Sequence, residues 1–391
     1  MSKATNRTKA VRSRSALAVL LALVAALALA ACGGDGDSVG GGSDSGTEVA
    51  KSGPVEGELT ISNWPAYMDT GKDNTVADFE DETGVTVDYV EDVNDNAEFF
   101  GKLQPQLEEG KSGGRSIFVV TDWMAKQMYD LGYLQELDHS TLPTVFEHLL
   151  PSLESPAFDP DRKFSVPWQS GMTGLMVNKK LAPDVKSVND LFDPQYKGKV
   201  TVLSELRDTI PLMLKADGID PSEATKQQWL DEIDKLGKAV DSGQLRRFTG
   251  NDYTQDMTNE NVIAAIGWSG DTSLIENPDV EWRMPTQGCI LWSDNMVIPK
   301  GAPNTPAALE WMNFTYEPKV QADLAAYIQY VTPVTGVKQV FEQQGKTALA
   351  NNPLIFPSDQ FTRNCTTQPD PPGSAEDQQE VTKAFQDVIT G

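Results

Sequence analysis

Two rhythms of apolar and polar positions run along this chain, and each gives way to the other at Gly or Pro. Glu58-Leu59-Thr60-Ile61-Ser62 reads as a short strand, and Asn74 to Thr83 has helical spacing with Val76 and Phe79 inward and Gly84 at the stop position. Val85, Val87 and Tyr89 then alternate as a second strand. The pattern predicts a helix over Glu98 to Glu109, a buried strand at Ile117-Phe118-Val119-Val120, and a helix to Leu131 closed by Gly132. Strand, helix, strand, helix, strand implies an α/β unit on a largely parallel sheet. A second series begins after Pro167. It predicts strands at Leu175–Val177, Val200–Leu203 and Val262–Ile266, and helices at about Arg207–Asp217 and Lys226–Val240. The fold class expected is therefore α/β, with two lobes. Beyond Ile290-Leu291-Trp292 come a strand at Met296–Ile298 and helices around Ala307–Phe314 and Lys319–Ala326. Residues 351–375 are rich in Pro, Asn, Asp and Thr and read as irregular chain before a last helix near Glu376–Ile389.

The N-terminus follows neither rhythm. Lys3, Arg7, Lys9, Arg12 and Arg14 precede an almost pure Ala/Leu/Val run from Ala16 to Ala31, the pattern of a secretory signal. That run is shorter than the roughly 20 residues a membrane-spanning helix needs. It ends Leu29-Ala30-Ala31-Cys32-Gly33, which resembles a bacterial lipobox, whose cysteine takes the lipid. The organisation expected is a signal peptide at 1–31, a flexible Gly/Ser/Asp-rich tether at 32–55, one lobe at 56–168 and 294–338, and the other at 169–293 and 339–391. The body would be held to the outer face of the cytoplasmic membrane by lipid alone. With Cys32 so used, Cys289 and Cys365 remain in an oxidising setting and form a candidate disulfide.

Charge removes whole classes of function. The 391 residues carry 57 Asp and Glu against 32 Lys and Arg, a net charge of -25, and the first 31 residues hold five of the basic ones. So acidic a body repels phosphate backbones, and no nucleic-acid partner is expected. The 2 His and 3 Cys stand in no metal-ligand spacing, so neither a metal nor another cofactor is expected. Of its two G-x-S-x-G strings, Gly36-Asp37-Ser38-Val39-Gly40 falls in the Gly/Ser/Asp-rich tether and Gly110-Lys111-Ser112-Gly113-Gly114 runs from a helix to a strand; neither stands where a strand turns into a helix, and the chain has no phosphate-cradling glycine loop.

What chemistry remains lies where strands end, the edge that faces the ligand crevice in open α/β sheets. Six segments place an aromatic or a carboxylate there: Trp64-Pro65-Ala66-Tyr67, Thr121-Asp122-Trp123, Glu205-Leu206-Arg207-Asp208, Trp268-Ser269-Gly270-Asp271, Trp292-Ser293-Asp294 and Tyr330-Val331-Thr332-Pro333. Trp64, Trp268 and Trp292 sit beside Pro, Gly or Ser at turns, whereas Trp168, Trp229, Trp282 and Trp311 read as packing. Glu205 and Asp208, behind a candidate N-cap at Ser204, also suit a helix start by complementing its dipole. Asp271 and Asp294 also suit turns. Aromatic faces alternating with carboxylates point to a small organic cation of more than one charge, because rings attract cations and carboxylates bond ammonium groups. A binder of a betaine would use the same rings, but needs a donor for the ligand's carboxylate, for which Arg207 is the candidate. An exported glycoside hydrolase would pair carboxylates beside stacking tryptophans.

The strings LTISNWPAY, VPWQSGMTGLMVNK, IAAIGWSGD, ILWSDNMVIP and IQYVTPVTG resemble the spermidine/putrescine-binding proteins of polyamine ABC transporters, over nearly the whole body from Glu58 to Arg363. The resemblance implies a two-lobe periplasmic-binding-protein fold with a ligand cleft between the lobes. It implies a monomer that captures a polyamine and passes it to ABC permease subunits, with no enzymatic step. Trp64 and Tyr67 would line the near wall, with Thr121 and Trp123 where the family has a hydroxyl and an aromatic. Glu205 and Asp208 match the acidic pair at one end of the ligand. Trp268 and Trp292 match the rings that sandwich its methylene chain, and Asp294 a carboxylate for an amine. Tyr330 matches a wall aromatic, and Asp271 an aspartate of putrescine-type members. The chain departs from the pattern at Pro65-Ala66, where the family often has a polar residue, at Ser116 for Asp, and at Gly250 near a serine position.

Overall fold

The computed structural model describes residues 48–69, 71 and 74–391. The signal segment, Cys32 and most of the tether lie outside the described residues. Among the described residues no helix is long and apolar enough to cross a membrane.

The strands are β1 (Val49–Ala50), β2 (Glu58–Asn63), β3 (Thr86–Glu91), β4 (Ile117–Thr121), β5 (Glu136–Leu137), β6 (Val166–Asn178), β7 (Val200–Leu203), β8 (Leu245–Thr249), β9 (Ala264–Trp268), β10 (Val280–Arg283), β11 (Ile290–Val297) and β12 (Thr366–Thr367). The α-helices are α1 (Thr75–Thr83), α2 (Asn96–Leu107), α3 (Asp122–Asp130), α4 (Pro143–His148), α5 (Leu206–Ala216), α6 (Lys226–Asp241), α7 (Tyr253–Thr258), α8 (Thr305–Thr315), α9 (Pro318–Ile328), α10 (Val337–Gln343), α11 (Thr347–Ala350), α12 (Asp359–Thr362) and α13 (Ala375–Thr390). Local chemistry sets the boundaries. Asn74 caps α1 by accepting from the Ala77 N–H at 2.8 Å, and Gly84 ends it in the left-handed region at φ 75°. Asp95 caps α2 in the same way through the Glu98 N–H.

Ten strands form one sheet in the order β3-β2-β4-β11-β6-β9-β7-β8, with β10 on β6 and β12 on β11. The expected parallel sheet is a mixed one. Within each half the strands run parallel, β2 with β3 and β4, and β7 with β8 and β9. The two halves meet through β6 and β11, which are antiparallel to each other. Up to Ser293, β11 pairs with β6 and, at Ile290 and Leu291, with β12; from Asp294 onward it pairs with β6 and β4, with a register shift at Asp294/Asn295. Both long strands thus run from one lobe into the other. A third chain crosses beside them where Ser170 and Val331 exchange backbone hydrogen bonds at 3.0 and 2.8 Å.

Several expectations need correction. β6 has 13 residues where only Leu175–Val177 reads as strand, and β11 is continuous where Ser293-Asp294-Asn295 divides the pattern. The polar interruption of β11 includes Asp294, which lines the cleft, and in β6 Gly171 lies against the Trp292 ring while Ser170 bonds Ser293. Trp292 therefore lies mid-strand, not at a turn. The tether ends by Glu48: Val49–Ala50 pairs in parallel with β5, and Ala50 is fully buried. The second-lobe return expected at 339 comes later, since Phe341 of α10 packs on Phe356 and Lys346 reaches Asp323 of α9. The chain rejoins the far half at β12. The elements β8, α7 and β10 have no clear signal in the sequence pattern.

Candidate functional site: an aromatic and acidic cleft

Trp64, Tyr67, Thr121, Glu205, Asp208, Trp268, Asp271, Trp292, Asp294 and Tyr330 line one cavity of about 440 Å³, together with Pro65, Ala66, Asn96, Asn251 and Gln368. Only about 30 Å³ of it is open to the centre of a water molecule, so the cavity is a slot walled by rings. Trp64 meets Trp268 edge to face at 6.0 Å, Tyr330 meets Trp292 at 5.3 Å, and Tyr67 meets Tyr330 at 5.4 Å. These separations fall in the range where aromatic edges and faces attract.

Glycine seats two of the rings. A Cβ on Gly171 of β6 would strike the Trp292 ring at 2.3 Å, and one on Gly270 would strike the Tyr330 ring at 2.4 Å. Tyr67 also packs edge to face on Trp168, which is itself fully buried with Trp229 and Trp311 as packing. Trp282 is half-buried over Gly174.

Four carboxylates face the slot, and each is held by donors. Asp294 accepts from Thr121 Oγ1 at 2.7 Å and from the Tyr67 hydroxyl at 3.1 Å. Asp271 accepts from the Tyr253 and Tyr330 hydroxyls at 2.6 and 2.7 Å, with Asn251 Nδ2 beyond at 3.2 Å. Asp208 accepts from Thr173 Oγ1, Trp268 Nε1 and Gln368 Nε2 at 2.8–2.9 Å. Glu205 accepts from the backbone N–H and Nδ2 of Asn96 at 2.9 and 3.1 Å. Asn96 opens α2 in the other half, so Glu205 stabilises a helix start across the cleft and not its own. Its neighbour Ser204 is not an N-cap: Glu205 holds that position without a side-chain bond, and Ser204 Oγ donates to Asp95 at 3.3 Å.

The four carboxylates are at most 5% exposed. Among the described residues none of them forms an ion pair. Burial therefore raises their affinity for protons. Asp294 is pushed up to about 7, against the pull of its Thr121 and Tyr67 bonds, and Asp208 and Asp271 to about 6. Glu205 is raised well above the ordinary range by burial, then by the nearby charges of Asp95 and Asp208. A buried, uncompensated carboxylate is costly, and each cationic group entering the slot relieves that cost at one of them.

Trp123 is the exception among the expected wall residues. It lies outside the slot, with the Arg207 guanidinium 3.8 Å above its ring, because α3 carries it past the cleft mouth. Arg207 in turn bonds Asp370 at 2.9 Å and so offers no donor to a ligand carboxylate. Asn96, Asn251 and Gln368 line the slot unforeseen. Asn251 obeys the strand-end rule, following β8, but β8 itself gives no clear pattern. Gln368 arrives by a covalent route: Cys289 and Cys365 form a disulfide, and β12 then pairs with Ile290 and Leu291 of β11. At Gly250, a Cβ would meet Asn94 of the other half at 2.8 Å, so the serine of the resembling pattern does not fit this approach of the lobes.

Comparison with known proteins agrees with this architecture. Residues 74–357 match the family model of bacterial extracellular solute-binding proteins. The spermidine/putrescine-binding periplasmic protein of Escherichia coli is 28% identical over 319 residues, covering 80% of this chain and 86% of that one. The putrescine-binding periplasmic protein SpuD of Pseudomonas aeruginosa is 27% identical, covering 85% and 92%. A solved Listeria monocytogenes structure, provisionally assigned to a spermidine/putrescine ABC transporter, superposes with a TM-score of 0.73 at 28% identity, covering 85% of this chain and 98% of that one. The substrate-binding protein of the same transporter class from Streptococcus pneumoniae shares the fold at a TM-score of 0.67 and 24% identity, covering 85% and 98%. On the family match, the two-lobe fold and the cleft between its halves, this chain belongs to the bacterial extracellular solute-binding proteins.

Proposed function

We propose that this protein captures a polyamine, spermidine or putrescine, outside the cytoplasmic membrane and delivers it to an ABC permease. The observation that carries the reading is the set of four buried carboxylates with no cationic partner among the described residues, interleaved with Trp64, Trp268, Trp292 and Tyr330 in one narrow slot. A polyamine is a thin methylene chain that carries ammonium groups at intervals, which suits a narrow slot with several separate carboxylates along it. Trp268 and Trp292 take the methylene chain, Asp294 takes one ammonium, and Asp208 and Asp271 take others. The names of the Escherichia coli and Pseudomonas aeruginosa relatives support the same ligand class.

In this reading Cys32 carries a lipid, and residues 33–47 tether the body. The lobes are 56–168 with 294–338 and 169–293 with the C-terminal chain, hinged where β6 and β11 cross. The protein works as a monomer, needs no cofactor and makes or breaks no bond. Isothermal titration with putrescine, spermidine, spermine, glycine betaine and a cello-oligosaccharide tests it. Binding of at least one polyamine, with the betaine and the sugar inert, is expected; binding of the betaine or sugar in preference refutes the reading.

A further inference from the structure

A second cavity lies directly behind Glu205, which lines both it and the slot. It is roomier, with about 170 Å³ open to the centre of a water molecule, and its wall includes Asp95, Phe100, Trp123, Ser204 and Arg207. Here again an aromatic face, Trp123, has a carboxylate beside it, Asp370, whose side chain is 62% exposed where those of the slot are buried. The pair already holds a cation. The Arg207 guanidinium stands 3.8 Å from the Trp123 ring centre and bonds Asp370 through Nε and Nη2, each at 2.9 Å. Its side chain is only 13% exposed.

We infer that Arg207 is an internal cation that occupies an outer ammonium subsite and thereby limits how long a ligand the cleft accepts. The inference rests on the polyamine reading for the identity of the excluded ligand. An amine extending past Glu205 meets the fixed positive charge of Arg207 and finds the Trp123 face covered, so a ligand of four amines gains nothing from its last one. With the guanidinium removed, Trp123, Asp370 and Asp95 are left for a ligand ammonium.

Calorimetry on wild type, Arg207→Ala and Arg207→Met, with putrescine, spermidine and spermine, tests the length limit; the Met variant keeps an apolar stem over Trp123 should the Ala variant fold poorly. Expected is a gain of about tenfold or more in spermine affinity relative to putrescine, with putrescine within about threefold of wild type. An unchanged spermine-to-putrescine ratio overturns the inference. So does an equal loss for all three ligands, the signature of a residue that only clasps the lobes.

A second arm uses no polyamine. Methylguanidinium titrated into Arg207→Ala, followed by tryptophan fluorescence, should saturate, and should not do so in wild type or in Arg207→Ala/Trp123→Leu. Failure to saturate in Arg207→Ala overturns the inference. Wild-type protein that binds no polyamine refutes the proposed function, and the methylguanidinium result then judges the Arg207 subsite alone.

Discussion

Asp294 concentrates the electrostatics of the cleft in one side chain. It is 4% exposed, hydrogen-bonded on both oxygens and without a cation, and its carboxyl is pushed up to about 7. An ammonium that enters beside it and is then deprived of the charge costs about 3–5 kcal/mol. Asp294→Asn should accordingly weaken every polyamine by about two decades or more in a titration. The raised carboxyls also fix a pH dependence. Asp294, Asp208 and Asp271 titrate near 7, 6 and 6 in the folded protein, against about 4 in an unfolded chain. The folded, ligand-free protein thus keeps protons that the unfolded chain releases. The contribution of these three groups to stability is full below about pH 4 and is lost as pH rises through 6 and 7. Binding runs the other way, because ammonium groups need the carboxylates ionised. Spermidine affinity should climb from about pH 5 to 8, and titration at pH 6 in buffers of different ionisation enthalpy should show net proton release. A flat affinity profile with no proton release would contradict the account. At this scale the sequence was readable where a functional residue ends a strand, as Thr121 and Trp268 do, or follows one directly, as Trp64 does. It misled at Trp123, whose position in the chain is right but whose ring is claimed by Arg207, a contact between α3 and α5 that no local pattern records.

β6 and β11 carry the site because they are the two elements common to both halves. Their central residues are polar and buried at once, which is why Gln169-Ser170-Gly171 and Ser293-Asp294-Asn295 break the apolar rhythm and hide the length of each strand. The strands β2, β4 and β7, whose apolar residues alternate or run on without such a polar interruption, match their patterns to within a residue or so. Gly171 is the point where β6 makes room for Trp292, so Gly171→Ala must move a ring that a Cβ would approach to 2.3 Å. Overpacking of this kind costs about 1–3 kcal/mol. The variant should melt lower and bind spermidine at least about tenfold more weakly, readable by calorimetry and by the Trp emission band. The Cys289–Cys365 bridge closes a long loop, 76 residues apart in sequence, and sets β12 beside β11. Cys365→Ser should lower stability by about 2–5 kcal/mol in a denaturant titration. It should also loosen Gln368, which donates to Asp208. The pairing was legible from the cysteine count and compartment; its delivery of Gln368 to the slot was not, since that depends on where an irregular segment lands.

On the scale of the whole molecule, contacts from one half to the other hold the cleft narrow: Glu205 to Asn96 and Ser204 to Asp95. Neither of these needs a ligand, yet each is polar and modest in strength. A polyamine whose ammonium groups pair with these carboxylates adds to them only when both halves surround it, which shifts the population toward the closed form. The two lobes themselves were legible as two successive α/β series, and the shared sheet was not, because strand order across a crossing is a property of long-range pairing. The central claim is that the slot holds a polyamine by its ammonium groups between the rings. A crystal structure of the spermidine complex tests it most directly. The account predicts ligand nitrogens about 2.7–3.1 Å from oxygens of Asp294 and Asp208, with methylenes against Trp268 and Trp292. Spermidine bound elsewhere on the protein, or lying in the cleft with its nitrogens away from all four carboxylates, would contradict it.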